Sequence, residues 1–522
     1  MYPFGLIGNC QISALVEGLQ SHASLNWLCL PNPDSEPVFS QILDPDAGSF
    51  SIFLGKDAEE NCYENFKCHQ RYIKNTNVLT TEIFREHDAI RVTDFCPRFE
   101  QHSHIFRPAV IIRIVERVAG NPNIHVRCDP IMGWSKQKAP VIRGNSHLDF
   151  PIRNQNLRLT TNIPLTYLSE NRSFQLQEKA YFYLSWGDIL EEDLQEACEA
   201  QLQKTIQWWQ RWVKHCSITP LFQEEVIRSA LALKLHCYED TGAILAALTT
   251  SLPEEIGQVR NWDYRYCWLR DSYFVLSAFY HLGHFEEMEK FLHFLLNIAE
   301  QKASQTRLAP VYTLSHELPL PEQLHGHWEG YAGSRPVRSY NQAAEHIQND
   351  VYGEMILTLS PIYLDNRFSN LRTPEHEKLL SHIASLCVST IGRADAGPWE
   401  LRNSMHPHTF TQVMSWAGLD RLLYLQKMGF FGSVLKVDLG RECERVLKVI
   451  SSSVQNGVMR NTTNDLRVDA SLSLATILKY PNKEINLATI RHIQKHFPFR
   501  GREDFIIDTA WKTTLVFPSL LF

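Results

Sequence analysis

The spacing of apolar residues changes once along this chain, and that change constrains the fold more than any other feature. Up to about residue 205, short apolar or alternating runs such as 89–95, 109–115, 124–128 and 180–186 are punctuated by Pro, Gly, Asn and Asp, the pattern of strands and turns. From about residue 219, apolar residues recur every three to four positions in 222–235, 273–296, 343–359, 376–387, 410–428 and 434–454, the period of helices packed on a core. The expected organisation is an N-terminal antiparallel β-sandwich over 1–205, a linker helix over 206–218 and a helical α/α domain over 219–522. Trp208, Trp209 and Trp212 fall on the linking helix, where a packing seam is the simpler role. No short fixed-period repeat is present, which argues against a tetratricopeptide-like or ankyrin-like array.

A length of 522 residues suits two or more such units. Lys and Arg total 51 against 58 Asp plus Glu, a net charge of -7, so no basic field calls for nucleic acid or an anionic membrane surface. The expected ligand is small or uncharged. Twelve Trp and 18 Tyr offer flat faces with polar edges that suit a sugar as well as a core. The twelve Cys form no CxxC pair, so reduced thiols are expected. The first residues lack a basic segment followed by an apolar one, and no apolar run approaches roughly 20 residues. A cytoplasmic protein without a membrane span is expected; a homo-oligomer is compatible with the sequence, which does not specify one.

Three segments between helices are dense in charged and aromatic residues. The first, 260–271, interleaves Trp262, Tyr264, Tyr266 and Trp268 with Arg260, Asp263, Arg265, Arg270 and Asp271. Such a mixture is costly to bury without a polar ligand or a complete hydrogen-bond network, so it is either a site or a structural ion-pair cluster. The second carries Gly326, Gly330, Gly333, Arg335, Pro336 and Arg338, then Gln348 and Asp350. It is either a loop folded over a pocket or ordinary surface; His325 and His327 are too few to argue for metal. The third contains Gly397, Pro398, Trp399, Glu400 and Arg402. A Glu beside Trp is a candidate general acid, because desolvation favours its protonated form; a loop Glu paired with Arg402 is the alternative.

In this order the three segments resemble glycoside hydrolase family 15, the glucoamylase, glucodextranase and trehalase group, in its bacterial and archaeal branch. The likeness begins at Gly5, Leu6, Ile7, Gly8, Asn9 and Cys10, continues through 241–255, and extends to about residue 490. It implies a β-sandwich followed by an α/α toroid of six helical hairpins, and hydrolysis of a terminal α-linked glucose from trehalose, maltose, isomaltose or an α-glucan oligosaccharide, with inversion. The resemblance makes Glu400 the general acid, Arg270 and Asp271 the holders of glucose hydroxyls, and Trp399 an aromatic wall. Trp262 joins the substrate-binding set, and Arg335 and Arg338 match a closing loop. No metal or organic cofactor is implied, and the expected partner is a small carbohydrate.

An inverting enzyme also needs a base, with the two carboxyls roughly 6.5–9.5 Å apart. The family's late base motif is not found here; Glu503 and Asp504 are the acidic residues nearest its expected place, in a context that does not match it. Roughly nine helical segments follow residue 215, where six hairpins need about twelve at ordinary helix length, so the toroid is expected to be C-terminally incomplete. The rival expectation is a non-catalytic glucan-binding or regulatory protein, or an inactive shortened copy.

Overall fold

The computed structural model describes residues 4–55, 66–301, 307–318, 320–402, 404–432, 435–496, 499–500 and 504–505. Two antiparallel sheets build the N-terminal part. The first runs Phe4–Gly8, Ser13–Leu19, His22–Cys29, Phe50–Leu54, Asn123–Cys128 and Phe174–Gln175, with Pro37–Phe39 paired to His22–Cys29. The second runs Ile142–Arg143, His147–Ile152, Gln155–Thr161, Lys179–Trp186, Val110–Ala119, Asp88–Phe95, Leu79–Arg85 and Phe66–Tyr72. Ile7, Leu25 and Ile52 of the first sheet share one core with Ile90, Ile111, Val115 and Phe182 of the second.

The strand Val110–Ala119 shows why one run reads as continuously apolar. Ile111, Arg113 and Val115 alternate toward the first sheet, while Val110, Ile112 and Ile114 pack on the opposite face, so both faces are covered. Arg113, fully buried, is paired with buried Asp94 at 2.7 Å and donates to the backbone carbonyls of Phe50 and Ala23 in the first sheet. A buried guanidinium is tolerable only with such a full set of acceptors.

Helix α1 (Leu194–Lys214) joins the two halves. Asp193 caps it by accepting from the Glu196 N–H. Its first turns place Cys198, Leu202 and Ile206 against the second sheet, and its last turns place Trp209, Trp212 and Val213 in the helical core. The longer helices that follow are α2 (Gln223–His236), α3 (Leu269–Leu282), α4 (Glu286–Gln301), α5 (Asp350–Leu359), α6 (Pro374–Thr390), α7 (Thr409–Lys427), α8 (Leu439–Ser452) and α9 (Lys483–His496). They form inner and outer rows: α3 packs on α5 and α5 on α7, while α4, α6 and α8 cover them from outside. Burial separates the rows. All ten residues of α5 are buried, whereas α8 buries only Leu439, Cys443, Val446 and Ile450, one stripe at helical spacing. This is the inner and outer layering of an α/α toroid.

The two halves meet through buried polar contacts. Arg98 of the β-part pairs with Glu239 at 2.7 Å, and Lys234 bridges Glu239 and Glu287 at 2.5 and 2.7 Å. The Trp27 indole donates to the Leu248 carbonyl at 2.7 Å, and Arg265 reaches the Ser35 carbonyl at 2.5 Å while paired with Asp263 at 2.7 Å. Trp328 in the second site segment donates to the Trp134 carbonyl, and the Glu329 N–H donates to Asp44, both at 3.0 Å. The sandwich therefore anchors the loop that carries Arg335 and Arg338.

Close approach of α5 and α7 sets the spacing of the inner row. A Cβ on Gly353 would lie 2.2 Å from the Met414 carbonyl oxygen, and one on Gly418 would lie 2.9 Å from the Gly353 Cα. Ala improves helix propensity over Gly by about 1 kcal/mol, but backbone cannot yield as a side chain does, and overpacking costs about 1–3 kcal/mol. Gly353→Ala is expected to lower the thermal and urea midpoints; an unchanged or raised midpoint would refute this account of the contact.

Candidate active site

The N-terminal ends of α3, α5 and α7 open toward one another, and the three charged and aromatic segments converge there. On α3, Trp268 is the N-cap and Arg270 and Asp271 occupy the first turn, where the helix dipole favours an acidic group. The short strand Cys267–Trp268, paired with Val311–Tyr312, fixes the entry angle. Gln348 precedes α5, and Asp350 is its first residue.

Glu400 lies in a turn ahead of α7. Asp395 bridges His406, the Ala396 N–H donates to Ile347, and the Glu400 N–H donates to Gly397 at 3.2 Å. Gly397 has φ +66°, and a Cβ there would lie 2.6 Å from the His408 ring, so only glycine fits the position. Glu400 itself has φ +55°. For a non-glycine residue this left-handed backbone costs about 1–3 kcal/mol and persists where surrounding structure enforces it, often at functional sites.

Three donors meet on one oxygen of Glu400. The Trp268 indole N–H donates to Oε1 at 2.5 Å, Gln348 Nε2 at 3.1 Å and Arg270 Nη2 at 3.4 Å. Arg270 also donates to Gln348 Oε1 at 2.7 Å and to Asp350 Oδ2 at 3.4 Å, and lies 3.9 Å from Asp271. Of the segment alternatives, a Glu400–Arg402 pair does not form: Arg402 pairs with Glu322 at 2.7 Å. Arg338 also binds Glu322, and the guanidinium carbons of Arg402 and Arg338 lie 3.7 and 4.3 Å from the centre of the Trp262 ring. Trp399 turns its indole N–H to Asp469. Arg335 is exposed and donates only a long 3.4 Å contact to the Glu329 carbonyl, so the structure does not bring it into the Glu400 cluster. His325 stacks on Trp134 and bonds Ser339, and His327 contacts the Trp134 carbonyl. Glu503 and the side chain of Asp504 lie outside the described residues.

Sequence reasoning left Trp268, Gln348, Asp350 and Glu322 out of the site. The first three sit inside segments already marked by their charge and aromatic density, within two residues of Arg270 or at the start of α5. Glu322 carried no such mark; only the fold brings it to Arg338 and Arg402.

Charge balance dominates the electrostatics. Between unit charges about 3.4 Å apart the Coulomb attraction alone is about 5 kcal/mol at an effective dielectric near 20, and desolvation of both groups offsets part of it. Burial works against the charge of Arg270, but Asp350, Asp271, Glu400 and Glu354 together make its guanidinium harder to deprotonate than usual. One guanidinium cannot neutralise that many carboxyls, and burial penalises the excess. Burial pushes Asp271 up to about 6 against the pull of Arg270. It pushes Asp395 up to about 7, with Asp350 adding to the effect and hydrogen bonds from Asn349, Thr411 and Gly397 opposing it.

Residues 221–497 match the family model for glycosyl hydrolases family 15, and residues 4–160 match the trehalase-like N-terminal model. The chain belongs to glycosyl hydrolases family 15. Within this family of glycoside hydrolases it is 29% identical over 519 residues to a trehalase of Thermoplasma volcanium, covering 95% of this chain and 79% of that one. A trehalase of Mycolicibacterium smegmatis is 28% identical over 510 residues, covering 91% of this chain and 74% of the relative. The solved structure of a bacterial glucoamylase complexed with acarbose shares the fold, with a TM-score of 0.65 at 14% identity, covering 95% of this chain and 78% of that chain.

The raised carboxyls tie stability to pH. Between about pH 4 and pH 7 the native state binds more protons at Asp271 and Asp395 than the unfolded chain does. Their stabilising contribution is therefore complete below about pH 4 and is lost as pH rises through 6 and 7. Asp395→Asn removes its share, so the melting temperature of the variant minus that of the wild type should rise between pH 5 and pH 8. A difference that stays flat or falls counts against the assignment.

Proposed function

We propose that this family 15 hydrolase cleaves α,α-trehalose with inversion, using Glu400 as general acid. The convergence of Trp268, Gln348 and Arg270 on a single Glu400 oxygen carries the reading. With Oε1 fixed by these donors, the second oxygen is the one left to carry a proton to the glycosidic oxygen as the bond breaks. Arg270 and Asp271, side by side at the start of α3, pair a donor with an acceptor, the combination that recognises neighbouring sugar hydroxyls. Trp399 offers an apolar face to the sugar, and Arg338, braced by Glu322 and stacked on Trp262, borders the leaving-group side. Arg335 stands on the braced loop beside this site, exposed and outside the Glu400 cluster.

Trehalase as the specific activity draws support from the trehalase-like N-terminal match and from trehalase relatives that share most of the chain. Inversion demands a second carboxylate that activates water on the opposite face of the ring. The helical part then supplies the chemistry, and the sandwich steadies the loop beside it.

Proton NMR during the first turnovers tests both statements. Inversion at one of trehalose's two α centres releases one β-glucose with one α-glucose per bond cleaved, whereas retention releases α-glucose alone. Glu400→Gln should lower kcat by about a hundred- to ten-thousandfold without lowering the melting temperature. Release of glucose from maltose but not trehalose overturns the substrate assignment, and α-glucose alone overturns the stereochemistry.

A further inference from the structure

Behind Arg270, α5 holds a carboxyl that the mechanism above does not use. Glu354 stands one helical turn after Asp350, and both residues are fully buried. Among the described residues both oxygens of Glu354 and Oδ1 of Asp350 find no donor. The cause is chemical. Ionised carboxylates only accept, so two of them side by side cannot satisfy each other, and a buried unpaired carboxylate is among the costliest groups a core can hold. One proton removes the conflict, because a carboxylic acid donates one short bond to its neighbour.

The surroundings decide which carboxyl holds that proton. Asp350 has the Arg270 guanidinium on Oδ2 at 3.4 Å. Glu354 has no ion pair of its own among the described residues; burial first, then the charges of Asp350 and Asp271, push it well above the usual carboxyl range against the pull of Arg270, and its carboxyl lies within reach of Asp350. Other titratable groups facing the pair are Asp395 from the turn before α7 and His408, the N-cap of α7, both of which feel the Asp350 carboxyl, and Tyr273 from α3, whose phenol feels Glu354.

We propose that Glu354 is a positioning residue that, as a neutral acid, donates to Asp350 Oδ1, leaving Oδ2 to hold the Arg270 guanidinium that in turn donates to Glu400. Its link to catalysis rests on the proposed role of Glu400, but its protonation does not. The relay runs from the α5 core to the candidate acid through named atoms: Glu354 to Asp350, Asp350 to Arg270, Arg270 to Glu400. The device also explains how α5 carries two acidic residues in a helix with no exposed face.

Two measurements test this on the full-length protein. Infrared spectra of the resting protein in D2O at pH 8, where Asp271 and Asp395 are largely ionised, should contain a protonated-carboxyl stretch that Glu354→Gln removes. No such band, or a band that survives Glu354→Gln, overturns the proposal even if the protein proves inactive on trehalose. For activity, Glu354→Gln supplies an amide donor in place of the acid and should keep kcat within about threefold. Glu354→Leu supplies none and should lower kcat by about a hundredfold, the effect of a misplacement of about 1 Å at reacting groups, with a smaller change in KM. A folded Glu354→Gln variant as impaired as Glu354→Leu shows that the carboxylate itself is required and refutes the donor role. Should Glu354→Leu fail to fold, the infrared band and the Glu354→Gln rate still decide.

Discussion

The guanidinium of Arg270 is the interaction around which the rest of the site is arranged. It is half-buried, it touches Asp350, Gln348 and Glu400, and it lies beside Asp271. These contacts come from three parts of the chain: α3 itself, the entry and first residue of α5, and the turn before α7. A guanidinium suits this position better than an ammonium, since its planar fork supplies several donors in fixed directions. The inner helices must therefore meet with their N-termini at one height, which the glycine contact between α5 and α7 permits. Packing and electrostatics are one problem here. If α5 moved away from α7, Asp350 would leave Arg270, and Glu400 would lose a donor.

The β-sandwich contributes to the same arrangement from a distance. Its own integrity depends on apolar faces and on buried Arg113, which crosses between sheets. Its outward contacts are selective: Trp134 and Asp44 hold the loop with Trp328 and Glu329, and Ser35 holds Arg265 beside Asp263. Asp263 accepts from the Tyr340 N–H, two residues beyond Arg338. The sandwich thus bears on the site through the loop it braces, which accounts for a large β-part preceding a helical domain that carries the candidate chemistry.

Much of this was legible in the sequence because the relevant signals are local. The change from strand to helix spacing separated the two halves, and one family's motifs in order marked Arg270, Asp271, Trp399 and Glu400. What was not legible depends on distant contacts or on burial. Glu322 reads as a loop acid after a proline, yet it joins Arg338 to Arg402 and frames Trp262. Arg402 stands two residues from Glu400 and looked like its partner, but the left-handed turn sends the two side chains to different neighbours. Glu354 falls inside the helical spacing of 343–359, and spacing alone does not reveal that α5 has no solvent-facing side.

The backbone of Glu400 points to a division of labour within one carboxyl group. A left-handed residue at this turn is unfavourable in isolation, so the contacts that hold it must exceed that cost. Those available are the hydrogen bonds of the 395–406 turn and the three donors on Oε1. An extended Glu400 would aim its side chain elsewhere and forfeit all three donors at once, leaving the Trp268 indole and Gln348 amide without their acceptor. The strain is therefore stabilised by the same atoms that orient the carboxyl. In the proposed mechanism this leaves Oε1 as the anchored oxygen and its partner as the one that meets the substrate, so the proton's direction of travel is set before the sugar arrives.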